Sequence, residues 1–306
     1  MKSKNANLSN AKKQKKDDFF TQLHDIENEL KHYRNHFKNK IVFCNCGDDE
    51  NTNFFRYFYL NFEFLGLKKL LCTAFKNKEN SDSDANGSSS SYYLEVNKQN
   101  FFLPSYNEER QNYNWDETKI LRKPLKENGD FRSQECIDLL KQADVVVTNP
   151  PFSLFREYIA QLIEFDKKFL IIGNINAVTY KDVFPLIKEN KIWLGYNPVK
   201  SFKDSEGQIK KFGNVLWFTN LDIEKRHEDL ILFRKYNPED YPKYDNYDAI
   251  NINKTVDIPI DYDGAMGVPI TFLDKYNPEQ FKIYDLVRPK INGKQFFRRL
   301  LIKKKS

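Results

Sequence analysis

A chain of 306 residues is long enough for one large domain, or for a catalytic domain with a smaller appendage. A hydrophobic content of 40% supports a folded core, and a net charge of only +6 does not by itself imply a nucleic-acid partner. No apolar run approaches the roughly 18 residues of a membrane span. Four cysteines (Cys44, Cys46, Cys72, Cys136) are too few for a disulfide scaffold and fit a reducing, cytoplasmic compartment.

In chain order, the Lys- and Asn-rich segment from Met1 to Asp18 lacks the apolar stretch of a signal peptide. Leu23, Ile26, Leu30 and Tyr33 then share one face of a helix. Ile41 to Cys44 is an apolar run that ends at Gly47-Asp48, the pattern of a buried strand and a tight turn. An aromatic-rich helix is expected over residues 53–65 and a second strand over Lys69 to Phe75. Asn80 to Ser91 is almost wholly Ser, Asp, Asn and Gly, and reads as a surface loop. A helix containing Ile137, Leu139, Leu140 and Ala143 precedes the β-branched strand Asp144 to Thr148. Beyond the next turn, Leu154, Phe155, Tyr158, Ile159, Leu162 and Ile163 form the apolar face of another helix. Further strands are expected at Phe169 to Ile172, Ile192 to Leu194 and Val215 to Phe218. This alternation predicts an α/β fold with a mostly parallel sheet, its site built from loops at the strands' carboxyl ends. From about Leu221 the pattern loosens into Pro-, Asn-, Asp- and Tyr-rich segments.

The turn after the Asp144 to Thr148 strand is Asn149-Pro150-Pro151-Phe152. Two prolines can neither extend a central strand nor sit within a helix, so this is a stiff loop. It suits chemistry at a planar amino group, whose nitrogen is a poor nucleophile because its lone pair is delocalised. The side-chain carbonyl of Asn149 and the main-chain carbonyl of Pro150 can accept its two N–H bonds and turn the lone pair outward. Phe152 can stack on a base taken out of a duplex. The alternative is a proline-stiffened βα loop with Phe152 in the core.

With this tetrapeptide in its strand–turn–helix setting, the chain resembles the EcoRI-type adenine-specific DNA methyltransferase family. The likeness runs from Asn5-Ala6-Asn7-Leu8-Ser9-Asn10-Ala11-Lys12 to Gly267-Val268-Pro269-Ile270-Thr271-Phe272-Leu273. It implies a Rossmann-like methyltransferase sheet, mostly parallel with an antiparallel edge and flanked by helices. The implied layout is a basic arm at 1–18, a catalytic domain at 19–220 and a recognition region at 221–306. It further implies S-adenosylmethionine as methyl donor, double-stranded DNA as partner, base flipping, and service in restriction-modification beside an endonuclease. GAATTC is then the leading target, and a monomer the expected state.

The resemblance assigns Phe20 and Thr21 to the N-terminal cofactor motif, although Thr21 could equally cap the first helix. Asn45, Cys46, Gly47 and Asp48 correspond to the cofactor loop. A zinc site at Cys44 and Cys46 fails, because no second Cys or His pair has ligand spacing. Gly129-Asp130-Phe131 corresponds to the motif beside the donor's adenine ring, or else to an ordinary turn with a helix cap. Thr73-Ala74-Phe75 stands where many Rossmann-like enzymes carry an acidic ribose ligand, which leaves the ribose contact unassigned. Trp217 and Phe218 correspond to the motif on the flipped base's other face, or else to core. The segment Tyr262 to Pro269 matches the family without a derivable role, and the motif order suggests the gamma arrangement. Basic clusters at Lys12, Lys13, Lys15 and Lys16 and around Arg298 and Arg299 suit a DNA backbone, as they suit solvated chain ends. Two rivals stand beside this reading: a methyltransferase for RNA adenine or protein glutamine, and an inactive DNA-binding protein on the same fold.

Overall fold

The computed structural model describes residues 19–46, 52–73, 91–108, 112–113, 120–204 and 207–305. The basic arm, Gly47, Asp48 and nearly all of the Ser/Asp-rich loop lie outside them. The chain forms two compact units, Met1–Gly173 with Asn197–Leu221, and Asn174–Tyr196 with Asp222–Ser306. The second unit therefore includes residues 174–196, which the sequence pattern grouped with the catalytic domain.

The first unit begins with β1 (Phe19–Thr21), β2 (Ile41–Cys44), β3 (Lys69–Thr73) and β4 (Tyr92–Asn97). The short strands β5 (Tyr106–Asn107) and β6 (Asn112–Tyr113) pair with each other, and β7 (Arg122–Pro124) follows. Next come β8 (Val145–Thr148) and β9 (Lys168–Asn174), then, after β10 (Trp193–Pro198), most of whose residues are assigned to the second unit, β11 (Ser201–Asp204), β12 (Ile209–Lys211) and β13 (Val215–Thr219). An eight-stranded sheet runs in the order β10-β13-β9-β8-β2-β3-β4-β7. Its centre is parallel, with β8 between β2 and β9 and β3 beyond β2. The β3/β4 and β4/β7 pairs at one end are antiparallel, as the family likeness implies.

All four residues of β8 are buried, which accounts for its unbroken β-branched run: a central parallel strand is covered on both faces. Pro150 has no N–H with which to continue the ladder, so β8 stops at the tetrapeptide. The chain then makes a 3-10 turn over Phe152–Leu154 before the helix Phe155–Glu164. Close packing joins this helix to the sheet at Gly173, where a Cβ would lie 2.5 Å from Phe155 Cε2 and 3.0 Å from Phe218 Cε2.

The first helix spans Leu23–Leu30, and a 3-10 turn carries the apolar face on to Tyr33. Gln22 occupies its N-cap position and Thr21 belongs to β1, so Thr21 is not the cap. The aromatic helix is shorter than the expected 53–65. It spans Asn53–Leu60 and is capped by Thr52, whose hydroxyl accepts from Phe55 N at 3.4 Å.

The loosely patterned C-terminal region is itself folded. It contains β14 (Ile250–Asn251), β15 (Met266–Val268), β16 (Phe281–Val287), β17 (Lys290–Ile291), β18 (Lys294–Gln295) and β19 (Arg299–Lys304). Four of these form a sheet in the order β14-β15-β19-β16. Two- and three-residue strands leave little periodicity to read. In β16 a register shift between Ile283 and Asp285 breaks the alternation that would otherwise mark a strand.

Candidate active site

From β2 the chain proceeds to β3 on one side of the sheet, whereas from β8 it proceeds to β9 on the other. The β2/β8 boundary is therefore the topological switch point, where open α/β sheets form a crevice beyond the strands' carboxyl ends. Phe43 pairs with Val146 in this boundary, so Asn45 and Asn149 leave the sheet from adjacent strands.

Asn45 is 1% exposed, and its Oδ1 accepts a hydrogen bond from the Tyr158 hydroxyl and a longer contact from Cys46 Sγ at 3.7 Å. Its Nδ2 is buried and has no hydrogen-bond partner among the described residues. Tyr158 lies on the helix that follows the tetrapeptide and is itself fully buried. Its ring meets Phe131 edge-on with 5.0 Å between centroids. Through its hydroxyl and its ring, Tyr158 thus joins the β2 loop, the Phe131 turn and the helix after β8 in a single cluster. Helical spacing placed Tyr158 on an apolar stripe; its role was missed, although a hydroxyl on such a stripe requires a partner when buried.

In the Phe131 turn, Gly129 adopts φ 78°, a conformation that favours glycine. Asp130 is not the cap of the next helix; Ser133 is, accepting from Cys136 N at 3.3 Å. The Asp130 carboxylate is instead gripped by Arg132, whose Nε donates at 2.8 Å and Nη2 at 2.6 Å. These bonds hold the Asp130 carboxyl below the usual aspartate range.

Thr21 is 4% exposed, pairs with Phe202 of β11, and accepts from Asn53 Nδ2 at 2.8 Å through its main-chain carbonyl. Its Oγ1 is buried and lacks a hydrogen-bond partner among the described residues. Phe20, the preceding residue, is 44% exposed. Phe202 also meets Phe152 edge-on at 6.2 Å, which brings the N-terminal motif and the tetrapeptide to the same aromatic neighbour. The register of β11 is held by the first helix: Asp25 Oδ2 accepts from Lys200 N and Ser201 N, and Glu29 Oε2 from Asn197 N at 2.7 Å.

Within the tetrapeptide, Pro150 and Phe152 are buried, Asn149 and Pro151 half-buried, and the Asn149 Oδ1 atom is sequestered from solvent. Pro151 O accepts from Leu154 N at 3.0 Å and closes the 3-10 turn. Trp217 and Phe218 lie in β13 with no exposed surface, against Phe54 and Phe155 respectively. Their rings are core in this arrangement, the second of the two readings that the sequence allowed. Gly47, Asp48, Lys12, Lys13, Lys15 and Lys16 fall outside the described residues. Arg298 and Arg299 belong to the second unit, where Arg298 Nη1 donates to Thr179 O at 2.6 Å.

The structure therefore brings Asn45, Cys46, Phe131 and Asn149 to the switch point of the sheet, and sets Thr21 and Phe152 against Phe202. Thr21 Oγ1 and Asn45 Nδ2 are buried donors with bonds to give, which fits a methyl donor rich in carboxylate and hydroxyl oxygens. Such a sheet, with an Asn-Pro-Pro-Phe turn closing its central strand, defines a Rossmann-like methyltransferase.

Comparison with known proteins narrows the class. The family model for adenine-specific methyltransferase EcoRI matches residues 7–305. Type II methyltransferase M.EcoRI of Escherichia coli is 49% identical over 324 residues, covering 97% of this chain and 96% of its own. Type II methyltransferase M.MgeORF184P of Mycoplasma genitalium is 38% identical, covering 98% of this chain and 99% of its own. M.MpnI of Mycoplasma pneumoniae is 39% identical, over 91% and 85%. No solved structure matches the chain significantly. The chain belongs to the EcoRI-type adenine-specific methyltransferase family and is a site-specific adenine DNA methyltransferase. Among the described residues, no helix is long and apolar enough to cross a membrane.

Proposed function

We propose that the chain transfers a methyl group from S-adenosylmethionine to N6 of an adenine flipped out of duplex DNA. The observation that carries this reading is the placement of Asn149-Pro150-Pro151-Phe152 at the carboxyl end of β8, next to the strand that leads into Asn45 with its buried Nδ2. Thr21 and Asn45 would hold the donor's polar oxygens, and Phe131 would flank its adenine ring. When bound, S-adenosylmethionine supplies an electrophilic methyl on a sulfonium centre.

Asn149 Oδ1 and the Pro150 carbonyl accept the two N6 protons of the target and direct its lone pair toward that methyl. The prolines fix these acceptors before the base arrives, so little reorganisation accompanies transfer. Phe152, leaning on Phe202, forms the apolar wall of the base pocket. The surplus N6 proton leaves to solvent after transfer, with no covalent enzyme intermediate. The physiological role would be modification within a restriction-modification pair, at a GAATTC-like hexanucleotide.

Mapping methyladenine in DNA from cells that express the chain tests both parts. Modified adenine confined to GAATTC supports the full reading; another site overturns the specificity alone, and unmodified DNA overturns the activity. Asn149→Ala should lower transfer by roughly 10²–10³ with duplex binding retained. Full transfer by that variant would remove Asn149 from the mechanism.

A further inference from the structure

The second unit carries an unusual surface at the β17–β18 hairpin. Phe297, two residues after β18, is 87% exposed, the highest value among the exposed large hydrophobic residues described. It lines a groove of about 760 Å³ together with Asn176, Thr179, Arg288, Arg298 and Arg299, and no acidic residue contributes to that lining. Pro269, Ile270 and Phe296 line the groove as well, so apolar surface stands beside three guanidinium groups with no carboxylate to balance them. This combination matches a nucleic-acid surface, where arginines meet phosphates and an apolar ring enters the stack.

The hairpin presents this ring on a rigid base. Asn292 and Gly293 have φ of 50° and 74°, as a two-residue turn of the I′ type requires. Both turn amides donate to the Asp245 carboxylate, at 3.2 Å and 2.8 Å. Asn246 accepts from Lys290 N at 2.8 Å and donates to Arg288 O at 3.2 Å. Phe296 N closes onto Pro289 O at 2.9 Å, directly before Phe297. Arg298 is oriented by its bond to Thr179 O, which occupies one of its five N–H donors. A pinned loop loses little entropy when it docks, so the exposed ring can contribute most of its stacking energy to binding.

We propose that this groove is a duplex-DNA contact in which Phe297 inserts against the bases while Arg288, Arg298 and Arg299 hold the flanking phosphates. The proposal rests on the DNA-methylating reading above, and deepens it by assigning the surface that grips the substrate.

The test uses the full chain and a duplex that it methylates. Phe297→Ala should weaken binding about 10-fold at constant salt, the effect of losing one aromatic–base contact. Phe297→Trp should show tryptophan emission quenched on addition of the duplex. Arg288→Ala should lower the slope of log K against log salt by about 1. Phe233→Ala, at a ring 63% exposed on the same unit, serves as control and should bind normally. Unchanged affinity in Phe297→Ala with an unquenched Phe297→Trp overturns the proposal. So does a Phe297→Ala variant that loses only self-association in sedimentation, which would make the groove an interface between copies. A wild-type chain that neither binds nor methylates duplex DNA removes the underlying reading as well, an outcome separate from normal wild-type activity with an indifferent Phe297.

Discussion

At the residue scale, the Asn45 carboxamide is the pivot of the candidate donor site. Tyr158 occupies its Oδ1, while its buried Nδ2 has no hydrogen-bond partner among the described residues. Tyr158→Phe removes the bond while leaving the ring against Phe131. A neutral hydrogen bond contributes about 1 kcal/mol, so affinity for S-adenosylmethionine should fall roughly 5- to 10-fold in titration calorimetry. Undiminished affinity would mean that the hydroxyl does not position the amide. The Asp130–Arg132 pair carries a pH signature. Because Arg132 lowers the Asp130 pKa in the folded state, the pair's stabilisation is complete above the ordinary aspartate value of 3.8 and is lost as pH falls toward the lower folded value. Asp130→Asn should flatten that acid limb of the stability curve, read by denaturant melts at successive pH values.

At the element scale, the buried acids of the first helix fix the turn that leads into β11. Glu29 is fully buried and accepts from Asn197 N, Asn197 Nδ2 and the Tyr33 hydroxyl. Glu29→Ala strands those donors and should destabilise the protein by about 2–4 kcal/mol in urea titrations. It should also impair methyl transfer, since β11 carries Phe202 against Phe152. Gly173 tests the packing beneath the tetrapeptide. The rings of Phe155 and Phe218 are buried and cannot swing aside, so Gly173→Ala should cost about 1–3 kcal/mol by overpacking. A neutral result would show that the helix after the tetrapeptide can shift to accommodate a methyl group.

At the scale of the whole molecule, +6 is a small net charge for a protein that acts on DNA, so the distribution of charge matters more than the total. Binding to duplex should weaken steeply with salt as counterions are recaptured. Replacing Lys12, Lys13, Lys15 and Lys16 with alanine should reduce the salt slope by about 3 to 4 if each lysine meets a phosphate. An unaltered slope would assign that arm to the solvated chain end that its composition equally allows.

The sequence by itself determined the chemistry and the parallel core of the sheet. The run Asp144 to Thr148 could only be a buried strand, and two prolines after it could only end that strand at its carboxyl edge. The resemblance carried by those residues then pointed to adenine methylation, in agreement with the family match. Residues that act across long sequence separations stayed hidden, because periodicity reports which face of an element is buried and not what that face meets. Tyr158 lies 113 positions from Asn45, and Glu29 lies 168 from Asn197. The sheet of the second unit was equally hidden, since short strands and a bulge erase the alternation that reveals longer ones. Only tertiary structure set the buried donors of Thr21 and Asn45 in the first unit and left Phe297 bare in the second. Both are outcomes of packing, which decides whether a polar atom finds a partner and whether a ring finds cover.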